Sequence, residues 1–218
     1  MKLRCPELYT PKQHPTRRGF KTKVDCYITQ LYKFPDAPAV AHCVYELLYW
    51  GILEGDPEVR YLVPQSHRFY IGTSLYTSDL YCEKNGRRYI VEIKSEAGFA
   101  EFAEKSSWIR EFLQPTPFEF VHVTNESIGE RETFARNWLY ISRTLVTSTT
   151  VVTERATEIV LDKLYESPQA IGDIMDLSGR VENCQLEIAL FRLASIGKVL
   201  LDLDHSRINA DTHVMLCR

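Results

Sequence analysis

Asp79, Glu92 and Lys94 are the residues whose spacing most plainly suggests chemistry. Asn85-Gly86 lies between two β-rich runs, 78–83 and 88–94. Both residues tolerate the positive φ of a type I′ turn, so the pair predicts a two-residue hairpin. Opposed residues then have numbers summing to 171, pairing 84 with 87, 82 with 89 and 80 with 91, and setting Asp79 opposite Glu92. Directly opposed Cβ atoms lie about 4.5–5.5 Å apart, and like charges at that separation destabilise a sheet unless something compensates them. Two facing carboxylates suit a hard divalent cation, and Mg²⁺ in particular takes one or two carboxylates plus water and phosphate oxygens. Lys94, one strand step from Glu92, would stand beside the metal-bound water and stabilise hydroxide or the charge developing at phosphorus.

Strand alternation puts Tyr89, Val91 and Ile93 on one face of the returning strand and Ile90, Glu92 and Lys94 on the other. A second reading stays open, in which Glu92 and Lys94 simply face solvent on an exposed sheet, because Glu-x-Lys is a common pattern. Glu46 is a further candidate, the only acid between Asp36 and Glu54, set among His42, Cys43, Tyr45, Leu47, Tyr49 and Trp50. A carboxylate buried there needs a partner or a metal. Exposure on a partly buried helix is the alternative, and burial separates the two.

The elements that must position these residues follow from pattern. Pro35-Asp36-Ala37-Pro38 punctuates the chain, and the apolar stretch 39–53, closed by Gly51 and Gly55, predicts a helix. Strand-like runs follow at 59–63, 69–71, 78–83 and 88–94, then a helix over 99–113, a strand over 118–123 and a helix over 130–146. That order is the arrangement of a mixed α/β sheet. Residues 147–153, rich in Thr, Ser and Val, form a connection. Beyond it, helical segments at 154–165, 170–177 and 182–196 precede strands at 198–203 and 212–216, the plan of a winged helix. The expected domains are an arm over 1–35, a catalytic domain over 36–150 and a winged-helix-like domain over 151–218.

Net charge is −3, but its distribution is uneven. Residues 1–33 carry eight Lys or Arg against two acids, whereas 34–152 and 153–218 are acidic at −5 and −4. Arg17, Arg18, Lys21 and Lys23 in the arm could meet DNA phosphates by counterion release, or form a solvated tail. The six cysteines are scattered with no C-x-x-C pair, so free thiols are expected. His42, His67, His122, His205 and His213 show no ligand spacing, and Trp50, Trp108 and Trp138 sit at apolar helical positions expected in the core. Neither nucleotide-binding glycine motif occurs, nor a serine-hydrolase elbow. No apolar run reaches the length of a membrane span and the first residues lack a secretory h-region, so the expectation is a cytoplasmic protein with no membrane partner.

The arrangement resembles the PD-(D/E)xK nucleases, and within them the TnsA-type transposon endonucleases. The likeness runs through Glu46 on its apolar helix, Asp56-Pro57-Glu58-Val59, Tyr76-Thr77-Ser78-Asp79-Leu80, Gly86 and Val91-Glu92-Ile93-Lys94. It continues through 120–124 and through Leu193–Leu203, covering most of the chain beyond residue 35. The resemblance implies a restriction-endonuclease-like mixed sheet flanked by helices, with catalytic Glu46, Asp79, Glu92 and Lys94. It implies Mg²⁺, replaceable by Mn²⁺, at Asp79, Glu92, Glu46 and Ile93. It further implies hydrolysis of a phosphodiester in double-stranded DNA at the 5′ ends of a mobile element. A DDE-type transposase subunit would cut the other strand, and an AAA+ regulator would meet the carboxy-terminal domain. A restriction or repair nuclease on the same core, and a non-catalytic winged-helix regulator, are the rival expectations. Ser78 stands where the pattern usually has proline. The last domain is acidic, with Glu182 and Glu187 against Arg192 on its third helix, which points to protein docking before DNA reading, with a purely structural helical domain as the alternative.

Overall fold

Alternating burial and turn chemistry divide the chain into many short strands and a few longer helices. The computed structural model describes residues 3–15, 26–175 and 179–217. Within them the strands β1 (Leu3–Arg4), β2 (Tyr27–Leu31) and β3 (Phe34–Ala41) precede helix α1 (Val44–Glu54). Strands β4 (Val59–Pro64), β5 (Arg68–Ile71), β6 (Ser74–Thr77), β7 (Leu80–Lys84) and β8 (Arg87–Lys94) follow, then α2 (Glu96–Leu113), β9 (Phe118–Thr124) and α3 (Asn125–Gly129). The remaining elements are α4 (Glu132–Thr147), α5 (Glu154–Glu166), β10 (Gln169–Ala170), α6 (Ile171–Ile174), α7 (Arg180–Ser195), β11 (Val199–Leu201) and β12 (His213–Leu216). The class is mixed α/β.

The chain forms two compact units, residues 1–49 with 58–130 and residues 50–57 with 131–218. In the first, a four-stranded sheet has the order β4-β7-β8-β9, antiparallel except for the parallel β8–β9 pair. The Asn85-Gly86 hairpin pairs Lys84 with Arg87, Cys82 with Tyr89 and Leu80 with Val91, and both turn residues have positive φ, 51° and 73°. This is the register that the turn chemistry predicts. Helix α2 carries the chain across from β8 to β9, its first turn closed by Ser95 Oγ accepting from the Gly98 amide at 3.2 Å. Phe102, Ile109 and Leu113 of α2 are buried, as are Ile90, Val91 and Phe120 of the strands beneath. A second sheet, β1-β5-β6, and the β2–β3 hairpin complete the unit.

The second unit is built on one apolar cluster. Trp138, Ile141 and Leu145 of α4 join Val160 and Leu164 of α5, Leu190 and Phe191 of α7, and Val199 and Val214 of the carboxy-terminal strands. Strands β10, β12 and β11 form a small antiparallel sheet in that order. Arg192 ties α7 to the α4–α5 connection, its Nη1 donating to Val151 O at 2.9 Å and Thr153 Oγ1 at 2.7 Å and its Nη2 to Ser148 O at 2.9 Å.

Several expectations are corrected here. The helix expected over 39–53 begins only at Val44, because Ala39 and Ala41 are buried in β3, paired with Thr29 and Tyr27. Gly51 does not end that helix. An added Cβ would lie 2.2 Å from Ala135 O, so glycine permits close backbone approach within the second unit. The unit boundary falls at 130/131 and not at 150/151, because α4 buries its apolar face in the same cluster as α5 and α7. The expected amino-terminal arm is folded over 3–15, where β1 pairs with β5 and Cys5 and Leu8 are buried, and again from β2 onward. Arg17, Arg18, Lys21 and Lys23 lie outside the described residues. The six cysteines are free thiols, and no helix of the described residues is long and apolar enough to cross a membrane.

Candidate active site

Burial settles which of the open readings of the acids holds. Strand β8 is covered on both faces from Ile90 to Ile93, so Glu92, at 1% exposure, lies inside the protein and not on a solvated sheet. Glu46, at 6%, is buried as well. Asp79 occupies the bend between β6 and β7, one residue before the ladder with β8 begins, and its Oδ2 accepts from the Ile93 amide at 2.8 Å. Ile93 thus touches the cluster through its backbone. Lys94, at the end of β8 with a third of its side chain exposed, forms an ion pair with Glu92 Oε1. The four residues expected from sequence are brought together in the first unit, and Glu46 and Asp79 line one cleft of about 310 Å³ with His14, His42, Gln65 and Arg68 among its walls.

Each carboxyl has a distinct holder. Glu46 sits in the first turn of α1 and accepts from the His42 amide at 2.9 Å, in the manner of a capping glutamate, and from Gln65 Nε2 at 3.2 Å. Its position is fixed by local helix-start geometry as well as by the cleft. Glu92 Oε2 accepts from the Tyr76 hydroxyl while Oε1 faces the Lys94 ammonium. Tyr76 is itself packed between Phe69, with ring centroids 5.9 Å apart, and Phe102, at 5.3 Å. Lys94 Nζ lies 5.1 Å from the centre of the same Phe102 ring. Sequence reasoning did not single out Gln65 or Tyr76 for a role. Their contacts join residues 19 and 16 positions apart, and no local pattern signals that.

The electrostatics follow from burying three acids near one cation. Burial and then the charge of Asp79 push Glu46 up to about 8. Burial and Asp79 likewise push Glu92 up to about 8, against the opposing pull of Lys94. Burial raises Asp79 too, opposed by Lys94 and by the Ile93 amide. For Lys94, burial alone would lower the ammonium pKa, but Glu92 and Asp79 outweigh it and the net shift is upward. Near neutral pH the cluster therefore holds protons that isolated carboxylic acids would have lost, and Lys94 is a firm cation. The protonated cluster is the form expected without a divalent ion, because closely spaced carboxylates cannot all ionise unless a cation replaces the protons.

Among the described residues, no set of three or more His, Cys, Asp or Glu side chains converges as a ready metal cage. The neighbouring carboxyls of Asp79 and Glu92 would suit a more open mode, in which Mg²⁺ retains water and phosphate ligands. The residues around it do not compete for this role. His67 is fully buried, its Nδ1 2.8 Å from Ser66 Oγ and its Nε2 3.1 Å from Leu8 O, and His122 is stacked on Phe99 at 4.3 Å with its Nε2 2.9 Å from Ser106 Oγ. Ser78, at the position where the resemblance expects proline, donates its amide to His67 O at 2.9 Å, a bond that proline could not make. No family model matches this chain, and a search of curated proteins finds no significantly similar sequence.

Proposed function

We propose that this protein is a divalent-metal-dependent endodeoxyribonuclease. The first unit is read as a restriction-endonuclease-like catalytic core and the second as a winged-helix-like domain, since the latter follows the order helix, short strand, short helix, long helix, two-stranded hairpin. The observation that carries the reading is that buried Glu92 is ion-paired with Lys94 and reached through the Ile93 amide by Asp79, which lines one cleft with buried Glu46. A structural sheet has no reason to bury two acids and partly bury a third around one lysine, because each carboxylate is costly to desolvate.

In this reading Asp79 and Glu92 would hold Mg²⁺ or Mn²⁺, which supplies Lewis-acid charge and a more acidic coordinated water. Lys94 places its ammonium where negative charge accumulates on the phosphoryl oxygens as water adds to phosphorus and the P–O bond to the leaving strand breaks. Glu46, fixed by the His42 amide and Gln65, orients the attacking water. Tyr76 and the aromatic rings around it hold the Glu92 carboxyl in place.

The sequence motifs narrow this to a TnsA-like transposase subunit, cutting the 5′ ends of a mobile element together with a DDE-type transposase and an AAA+ regulator. The regulator is assigned to the second unit, where α4, α6, α7 and residues 207–210 line a largely apolar cavity of about 710 Å³. Arg192 on α7 is committed to the α4–α5 connection and is not free to read DNA. The test is cleavage of duplex DNA carrying transposon ends, with partner subunits and Mg²⁺ present. Asp79→Ala abolishes cutting while circular dichroism stays native, and retained cutting in that variant refutes the assignment.

A further inference from the structure

The amino-terminal segment builds a second polar hollow beside the carboxylate cluster. Strand β1 pairs with β5, Leu3 opposite Ile71 and Arg4 opposite Tyr70, and the following turn buries Cys5 and Leu8. The turn and β5 enclose a hollow of about 290 Å³ lined by Glu7, Lys12, Gln13, His14, Arg68 and Tyr70. His14 and Arg68 also wall the cleft that holds Glu46 and Asp79, so the two hollows adjoin.

Three buried polar atoms here have no hydrogen-bond partner among the described residues: Arg68 Nε, His14 Nε2 and Gln13 Oε1. Buried polar groups are nearly always paired, so three orphans in one hollow call for a bonding partner that the described residues do not provide. Arg68 spends a single Nη2 contact, at 3.4 Å, on Pro15 O, leaving most of its guanidinium fork unused. The His14 side chain is only 5% exposed, and its Nε2 lies 3.2 Å from Glu7 Oε2 but off the line of a hydrogen bond. Gln13 Nε2 is committed to Pro38 O at 2.9 Å, so its oxygen offers an acceptor suited to a ligand's water shell. Two cations, Lys12 and Arg68, line the hollow with one carboxylate, Glu7, which holds Lys12 at 2.6 Å, and Arg4 lies 4.9 Å over the Tyr70 ring.

The geometry points to a phosphate subsite in which Arg68, Lys12 and His14 hold a backbone phosphate of the DNA strand next to the one presented to Asp79 and Glu92. The inference rests on the nuclease reading and deepens it, naming what fixes the strand beside the catalytic cluster. A guanidinium fork matches phosphate oxygens in two places at once, and Lys12 adds a point charge. Glu7 occupies Lys12 when DNA is absent and opposes the incoming phosphate.

The experiment measures binding of a short duplex to the full chain by fluorescence anisotropy, with Ca²⁺ replacing Mg²⁺, across a salt series. Arg68→Gln and Lys12→Gln each weaken binding by about tenfold and reduce the log–log salt slope by about one. Glu7→Gln tightens binding, and Arg155→Gln in the second unit changes neither quantity. Lys12 is 60% exposed, so its variant decides the matter even where Arg68→Gln fails to fold. Unchanged affinity and slope in Lys12→Gln overturn the subsite, and so does an equal loss in Arg155→Gln, which would mark a diffuse field. Cleavage is scored separately with Mg²⁺ and partner subunits. If the wild type cuts DNA but the variants bind normally, the subsite falls and the nuclease reading stands. If the variants shift binding as stated but the wild type cuts nothing, the nuclease reading falls and the subsite stands as a DNA contact.

Discussion

Replacing Glu92 by glutamine should stabilise the metal-free protein, and the gain should grow with pH. Glu92 is 1% exposed and its carboxyl is pushed from the ordinary 4.5 to about 8. The folded chain therefore keeps a proton that the unfolded chain releases, so stability is greatest below about pH 4.5 and falls as pH rises through 8. One pKa unit corresponds to about 1.4 kcal/mol, so at pH 7 this group costs the folded state about 3 kcal/mol. Glutamine removes that cost but weakens the contacts with Lys94 and Tyr76, a loss of about 1–2 kcal/mol. The net expectation is a gain of about 1–2 kcal/mol at pH 7 in EDTA, near zero or negative at pH 5, and larger at pH 8.5. Glu46, also raised to about 8, leaves a residual pH slope in the variant. Urea unfolding at these three pH values reads the difference directly. Adding Mn²⁺ should then reverse the ranking, because a ligand at a hundred times its Kd stabilises the wild type by about 2.7 kcal/mol and the variant much less. A difference between variant and wild type that does not change with pH would refute the reasoning, since it would mean that Glu92 is already ionised in the folded state.

Two further predictions concern the second unit. Gly51→Ala forces a Cβ to within 2.2 Å of Ala135 O, a backbone atom that cannot swing aside, and should cost about 3 kcal/mol in urea unfolding. Arg192→Ala removes three hydrogen bonds from the α4–α5 connection and should lower stability by about 2–3 kcal/mol, with Arg192→Lys recovering only part because an ammonium cannot reproduce the fork. Both are checked by the shift of the denaturation midpoint at constant slope.

Local signals made the hairpin legible. Asn85-Gly86 fixes the turn, and once the turn is fixed the register of β7 and β8 follows by arithmetic, which brings Asp79 to the Glu92 and Ile93 end of the strand. Glu46 could be suspected because a carboxylate in an apolar stretch needs a partner, but only burial decides whether it has one. The start of α1 was obscured because Ala39 and Ala41 are as compatible with a buried strand as with a helix, and the partner β2 that settles the matter was hidden in a stretch whose basic charge suggested a tail. The unit boundary was missed for a similar reason. Trp138, Ile141 and Leu145 mark a helix with an apolar face but do not say which core that face joins. Arg68 and His14 carry no motif at all, and Tyr76 begins a stretch of the resemblance without any sign of its bond to Glu92, because these contacts join distant parts of the chain.

The central claim is that Asp79 and Glu92 bind a divalent ion for phosphodiester hydrolysis. The most direct measurement is a crystal soaked in Mn²⁺ and recorded at the manganese edge. An anomalous peak is expected between the Asp79 and Glu92 carboxylates, lost in crystals of Asp79→Ala. Crystals that show no peak there at saturating Mn²⁺, with both side chains ordered and the Glu92–Lys94 ion pair unchanged, would contradict it.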